Sequence, residues 1–199
     1  MSEWSSYSLH DLLIFSPESY FRLFERANLA FWPFQLVIIA IALLMLYLTM
    51  VRTARGQLYI VTGLVLFWLL PAWWFIDQYY TQINTIADWY RWLFMTQAVL
   101  LMIYAVIAHH NRNQYSPPGD AMLGVGLGIA VYSVLIHPFL ILLSDRSWRG
   151  SELIAIAPDP VAIGTIGFVL AMSAGKSRYL LLVIPFMWLL VSVATYSTF

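Results

Sequence analysis

From position 32 onward, apolar residues gather into six runs bounded by charge, proline or glycine: Trp32 to Val51, Leu58 to Phe75, Trp92 to Ala108, Ala121 to Ser144, Val161 to Ala174 and Tyr179 to Ser197. A membrane-crossing helix takes about 20 predominantly apolar residues, and every run but the fifth approaches that length. The fifth has only 14 clean residues. Leu153 to Ala157 would lengthen it across Pro158-Asp159-Pro160, so a short or broken helix entered through a proline-kinked loop is expected. No segment alternates in the manner of a barrel strand. The pattern therefore predicts an all-α fold, a polytopic bundle of six transmembrane helices over residues 32–199, preceded by a distinct segment over 1–31.

That first segment has its own pattern. Ser16-Pro17-Glu18 reads as an N-cap, a proline at the first helical position and an acid in the first turn. A helix should follow to about Ala30. Tyr20, Phe24, Ala27 and Phe31 recur on one face at helical spacing, while Glu18, Arg22, Glu25 and Arg26 take the remaining surface. Such an amphipathic helix either lies in the membrane interface or packs on the bundle; in both cases it covers one face. A shorter turn, Leu9 to Phe15, is expected before it. No basic stretch precedes an apolar run here, and Glu3, Asp11 and Glu18 interrupt the segment, so it reads as retained chain and not as a signal peptide.

Composition agrees with the pattern. Of 199 residues, 61% are apolar and only 10% carry formal charge, against roughly 45–50% and 25% in soluble domains. Six spans leave little chain for a separate globular catalytic domain. Ten Lys+Arg balance ten Asp+Glu, which gives no basic excess to hold nucleic acid. Cysteine is absent, so disulfides and thiolate chemistry are excluded. The neutral total hides an asymmetry. With alternating spans, the N-terminal side carries five Lys/Arg and nine Asp/Glu, and the opposite side five and one, for net charges of −4 and +4. The opposite-side cations all sit in short loops beside helix ends, where the positive-inside rule acts. Both termini are therefore placed outside a cell membrane.

Candidate chemistry is sparse. No acid or base falls in the middle of a run, and proton- or ion-coupled carriers usually keep such groups along their pathway. The interior holds neutral polar residues, among them Gln35, Thr62 and Ser192, and a candidate intramembrane site of Gln97, Tyr104, Ser133 and His137. A wet cavity joining those four would favour a permease; separate pairing inside packed helices would favour a scaffold. His137 precedes Pro138, whose missing N–H frees a carbonyl one turn back. The imidazole could satisfy that carbonyl or bind a metal, haem or pigment; beyond this no cofactor is expected. His109 and His110 suit the negative end of a helix dipole. On the outer side, Asp77, Asp88, Glu152, Asp159 and His10 stand among many Trp and Tyr, a candidate cation cup unless Arg91, Arg146 and Arg149 pair with the acids. Gly124, Gly126 and Gly128 on the fourth run, and Gly167, Ala171 and Gly175 on the fifth, make small-residue faces for close helix packing, within the chain or against a second copy.

Four stretches resemble a family of multi-pass prokaryotic membrane proteins known only as a domain of unknown function. They are YSLHDLLIFSPESYFRLFERAN followed by WP (with Tyr7, Asp11, Phe15, Ser16, Pro17, Tyr20, Arg22, Asn28, Trp32 and Pro33 in place), WFIDQYYTQIN, IAPDPVAIGTIGFVL, and IPFMWLL. The third is similar to the family's Pro-Cys-Pro-Thr-Thr stretch, except that Asp159 stands where cysteine is common. Any thiol or soft-metal role in relatives does not carry over. The resemblance implies a polytopic architecture, in a prokaryotic inner membrane, and no mechanism.

No nucleophile–base pair, HExxH or phosphate loop occurs. The expectation is a non-enzymatic integral membrane component that self-associates or docks on a larger membrane complex. The alternative is a small permease or cation-binding protein with an outward acidic, aromatic site.

Overall fold

A computed structural model describes residues 16–173, 175–197 and 199. Among them every regular element is helical: α1 Pro17–Phe31, α2 Gln35–Val51, α3 Ala54–Leu70, α4 Ala87–His110, α5 Asp120–Val131, α6 Pro158–Met172 and α7 Ser177–Tyr196. His10 and the turn expected over Leu9 to Phe15 lie outside the described residues.

Four stretches are long and apolar enough to cross a membrane: Ala54–Gln82, Ala87–His110, Asp120–Leu143 and Ser177–Tyr196. Helices α1 and α2 make a fifth only if taken together, and they are bent by 95°. The described chain thus offers four to five candidate spans where the apolar runs suggested six. Both shortfalls have local causes. Trp32 to Phe34 form the turn between α1 and α2, and Arg52 closes α2 in the left-handed region at φ 55, leaving 17 helical residues. Leu153 to Ala157 do not extend α6, because Ala155 takes φ 66 and helix begins only at Pro158.

Two long spans change pitch. α3 continues through a π-helical stretch, Pro71–Asp77, and α5 through another, Tyr132–Ile136, followed by a 3-10 stretch, His137–Leu143. Pro71 and Pro138 lack the N–H that an α-helix needs there, so the ladder re-registers around them.

The core centres on α6. Nearly all its residues are buried on every side, which suits a helix with no polar face. It packs on α5 through glycine: a Cβ at Gly126 would stand 2.6 Å from the Ala171 nitrogen and from the Gly167 carbonyl. Gly124 and Gly128 have open space around them, and Gly175 touches only Ser177. The small faces of the two runs therefore meet at Gly126, Gly167 and Ala171.

α1 lies across one end of the bundle. Tyr20, Leu23, Phe24 and Ala27 are buried, and Phe24 stacks on Phe75 with ring centroids 4.6 Å apart. Of the two placements its amphipathic pattern allowed, it occupies the one on protein. The same end gathers the extension of α3, the start of α4, residues 144–157, the start of α6 and the end of α7. Tyr20 there meets Tyr80 and Tyr196 at 5.5 and 6.2 Å. At the opposite end Arg52 bonds Asp120 at 2.7 Å and the Pro118 carbonyl at 2.5 Å.

Candidate functional site

Asp159 anchors the site. Pro158 and Pro160 remove two of the N–H groups that open α6, so the Asp159 carboxylate is not needed as a cap. It turns to α7 instead. Trp188 donates its indole N–H to Oδ1 at 2.7 Å, and Ser192 donates its hydroxyl to Oδ2 at 2.5 Å. Trp188, Ser192 and Tyr196 stand four residues apart, on one face of α7. The third of them, Tyr196, donates to Oε1 of Glu152 at 3.2 Å.

Glu152 is placed by a chain of contacts that begins at α2. Gln35 donates to the Asn28 carbonyl at 2.5 Å, and the Asn28 amide donates to the carbonyls of Arg149 and Ser151, each at 2.8 Å. Ser151 in turn donates its hydroxyl to the Pro138 carbonyl at 2.6 Å. The loop is thereby tied to α1 on one side and α5's extension on the other, and Glu152, only 9% exposed, points inward.

His137 faces Glu152 Oε2 through Nε2 at 3.4 Å, while its Nδ1 is buried with no hydrogen-bond partner. The carbonyl-satisfying role expected from Pro138 is not what the imidazole does: the helix turns π over the five residues before it, and the 3-10 stretch starts at His137 itself. Arg146 completes the cluster, with Nη1 3.8 Å from Glu152 Oε1 and its guanidinium carbon 4.0 Å above the Phe21 ring. His137, Arg146, Glu152, Asp159 and Tyr196, with Leu140 and Ile141, line a cavity of about 200 Å³. Two carboxylates, one guanidinium and one imidazole line it.

The other candidates fall elsewhere. Ser133 donates to the Pro160 carbonyl at 2.5 Å. Gln97 donates to the Leu181 carbonyl at 2.9 Å, and Tyr104 accepts from Gln57 at 2.8 Å. Tyr104 lines a separate cavity at the far end, beside Ser173 and Tyr115. Gln97, Tyr104, Ser133 and His137 do not share a cavity, so the intramembrane site expected of them does not assemble. Gln97, Tyr104 and Ser133 are each held by a hydrogen bond to a neighbouring helix, and only His137 lines the cavity beside Glu152.

The outer acids also separate. Arg91 pairs with Asp77 and, at 2.6 Å, with Asp88, away from Glu152 and Asp159. The single acidic cup is therefore two clusters, because the loop after α3 returns directly into α4 and never reaches the one before α6. Among the described residues no three His, Cys, Asp or Glu side chains converge as a metal-binding group. His109 and His110 end α4 as the dipole argument placed them.

Sequence reasoning passed over Tyr196, although a signal was present in the four-residue steps of Trp188, Ser192 and Tyr196, three polar tips on one side of an otherwise apolar helix. Arg146 entered only as one of three arginines that could pair with the outer acids; its partner proves to be Glu152, at 3.8 Å, a pairing that depends on the fold of residues 144–157.

Fold and site together define an all-α protein, with helices long and apolar enough to cross a membrane and a buried cluster of charged side chains at one end. The chain belongs to the family of unknown function DUF6064, whose profile matches residues 17–199. No curated protein and no solved structure matches it.

Proposed function

We propose that the chain is a non-catalytic multi-pass membrane protein that binds a small cationic solute in the cavity between α5, α6 and α7. α2 and the protein-enclosed α6 would complete six crossings beside the four long ones, with both termini outside the cell membrane. The observation that carries the assignment is the cavity lined by His137, Arg146, Glu152, Asp159 and Tyr196, with two carboxylates and one guanidinium. With the imidazole neutral, one added positive charge balances the two carboxylates and the guanidinium. At ~30 Å³ per water in the liquid, about 200 Å³ equals roughly six waters, which suits an ammonium or guanidinium group on a few carbons. The long 3.4 Å approach of His137 to Glu152 and the unpartnered Nδ1 leave hydrogen-bonding capacity for it. The separate pairing of Gln97, Tyr104 and Ser133 favours a binding site closed at one end over a through-path, and so a binding protein over a permease.

Thermal unfolding of the detergent-purified protein with methylammonium, ethanolamine, choline and guanidinium tests this. At least one cation should raise Tm in the wild type and fail to do so in Glu152→Gln. If no cation raises Tm, or if Glu152→Gln responds equally, the assignment falls.

A second reading, docking on a membrane partner or on another copy, is favoured by one observation. A Cβ added at Gly124 or Gly128 on α5 would meet no atom of another element within 4 Å among the described residues, although one at Gly126 between them would collide with α6. Such a pair permits close approach of another helix.

A further inference from the structure

A groove of about 620 Å³ runs along the outside of the bundle between α3 and α4. Its walls are Leu66, Leu69, Leu70 and Met95, and its floor includes Ala72. Ala72 and Trp73 line it from the π-helical stretch that begins at Pro71. Trp73 and Trp92 flank it, both more than half exposed. Arg91 and Asp77 line it as well, and Asp88 joins them through Arg91.

That arrangement has the anatomy of a single lipid molecule. The long apolar trough matches an acyl chain, and tryptophans at the charged end are the usual markers of the headgroup level. The charges then select the headgroup. Arg91 bonds Asp77 through Nη1 and Asp88 through Nη2, and lies 5.5 Å from the Trp92 ring centre. Its Nε is buried with no hydrogen-bond partner. Two carboxylates surround one guanidinium, so the mouth carries a formal −1 and repels a headgroup that bears only phosphate. A headgroup with phosphate and a primary ammonium fits both signs. The phosphate faces the Arg91 edge, and the ammonium donates to the Asp88 carboxylate, whose side chain is 55% exposed. A trimethylated ammonium carries the same charge and no N–H to donate.

We propose that this groove binds one phospholipid with a primary-ammonium headgroup, of the phosphatidylethanolamine class. The site is independent of the His137 cavity and rests only on the membrane placement proposed above.

The full chain, purified in a mild detergent, would be exchanged into micelles doped with dioleoyl phosphatidylethanolamine, phosphatidylcholine or phosphatidylglycerol and weighed by native mass spectrometry. One bound phosphatidylethanolamine should survive, with about tenfold stronger retention than either competitor, the size of one charge-assisted hydrogen bond. Asp88→Asn, an exposed and structurally mild change, should erase the preference. Leu66→Trp, which fills the groove from its outer wall, should lose retention of all three lipids. Equal or stronger retention of phosphatidylglycerol by the wild type overturns the proposal, as does an undiminished preference in Asp88→Asn or unchanged retention in Leu66→Trp. A chain that stays monodisperse without detergent would instead overturn the membrane placement, so the two failures are distinguishable.

Discussion

Ser192 donates its hydroxyl to Asp159 Oδ2 at 2.5 Å across 33 positions of sequence, while the other oxygen of the same carboxylate accepts from the Trp188 indole at 2.7 Å. Helices α6 and α7 are thus joined where α6 begins, by an acid in the first turn of α6. Trp188 can only donate, whereas a serine hydroxyl can donate or accept.

Those donor rules separate two substitutions. In Asp159→Asn the amide oxygen can still accept from Trp188 and the amide nitrogen can donate to a rotated Ser192 hydroxyl, so the expected loss is no more than ~1 kcal/mol. Asp159→Ala strands both donors in a buried place, at ~1–3 kcal/mol each. Tm in detergent should fall in the order wild type, Asn, Ala, with the larger step at Ala. Equal Tm for the two variants would mean that the carboxylate does not join the helices.

Asn28 is the second support. Its amide holds the carbonyls of Arg149 and Ser151, and through them the loop that presents Glu152. Asn28→Asp removes both donors and sets a carboxylate against two carbonyl oxygens. Repulsion should release the loop, costing ~2–4 kcal/mol by the loss of two buried hydrogen bonds. Limited proteolysis should then cut between Ser144 and Ser151, where the wild type resists. Unchanged protease resistance would show that the loop is held from α5's extension alone, through Ser151 and Pro138.

How much of this was legible in the chain depends on the range of the interaction. The N-cap at Ser16, the buried face of α1 and the helical ends at His109 and His110 are set by neighbours within four residues, and their spacing in the sequence located them. The Gly126 to Gly167 approach was half legible: each stripe was visible, and their meeting waited on the fold. The site was legible in part: Glu152 and Asp159 already stood together among the outer acids, while their separation from Asp77 and Asp88 and the approach of His137 and Tyr196 waited on the fold. His137 and Glu152 are separated by a 3-10 stretch and an irregular loop, neither of which has a periodic pattern to read. Asp159 counted as an outer-loop acid because two prolines around it suggested a kink, when they instead open a buried helix. The short helix entered through a loop was legible from the prolines, but the positive φ at Ala155 has no signature in an apolar stretch.

The glycines of α5 divide by what surrounds them. Gly126→Ala must force apart the Gly167 carbonyl and Ala171 nitrogen, each 2.6 Å from the new Cβ, and backbone cannot yield as a flexible side chain would. Gly167→Ala meets the Ala130 nitrogen and, at 2.7 Å, the Gly126 carbonyl. Either change should cost ~1–3 kcal/mol or more by overpacking. Gly124→Ala and Gly128→Ala enter open space and should raise monomer stability by ~0.5–1 kcal/mol through helix propensity. If α5 docks on another helix through that open pair, Gly124→Leu should leave Tm intact while lowering the oligomer fraction in chemical cross-linking. A Tm fall in Gly124→Ala as large as in Gly126→Ala would contradict the packing described.

The cover over the site should loosen in acid. Ser16 caps α1 by accepting from the Ser19 N–H at 3.3 Å, and Glu18 sits in the first turn. Its carboxyl is held below the ordinary 4.5, first by a hydrogen bond from its own backbone N–H and then by the Ser16 hydroxyl. A carboxyl whose folded value is depressed favours the helix above the unfolded value, and that contribution is lost as pH falls from about 4.5 through the lower folded value. Protonation removes the negative charge that complements the helix N-terminus. Amide hydrogen exchange in residues 18–21 should therefore accelerate below pH 4.5, beyond the intrinsic pH trend, while exchange in α6 stays constant. Glu18→Gln should flatten that dependence, and Ser16→Ala should speed exchange across the whole pH range by loss of the cap. If Glu18→Gln keeps the full acid dependence, the titrating group is another carboxylate at this end of the bundle and α1 is not fastened at its first turn.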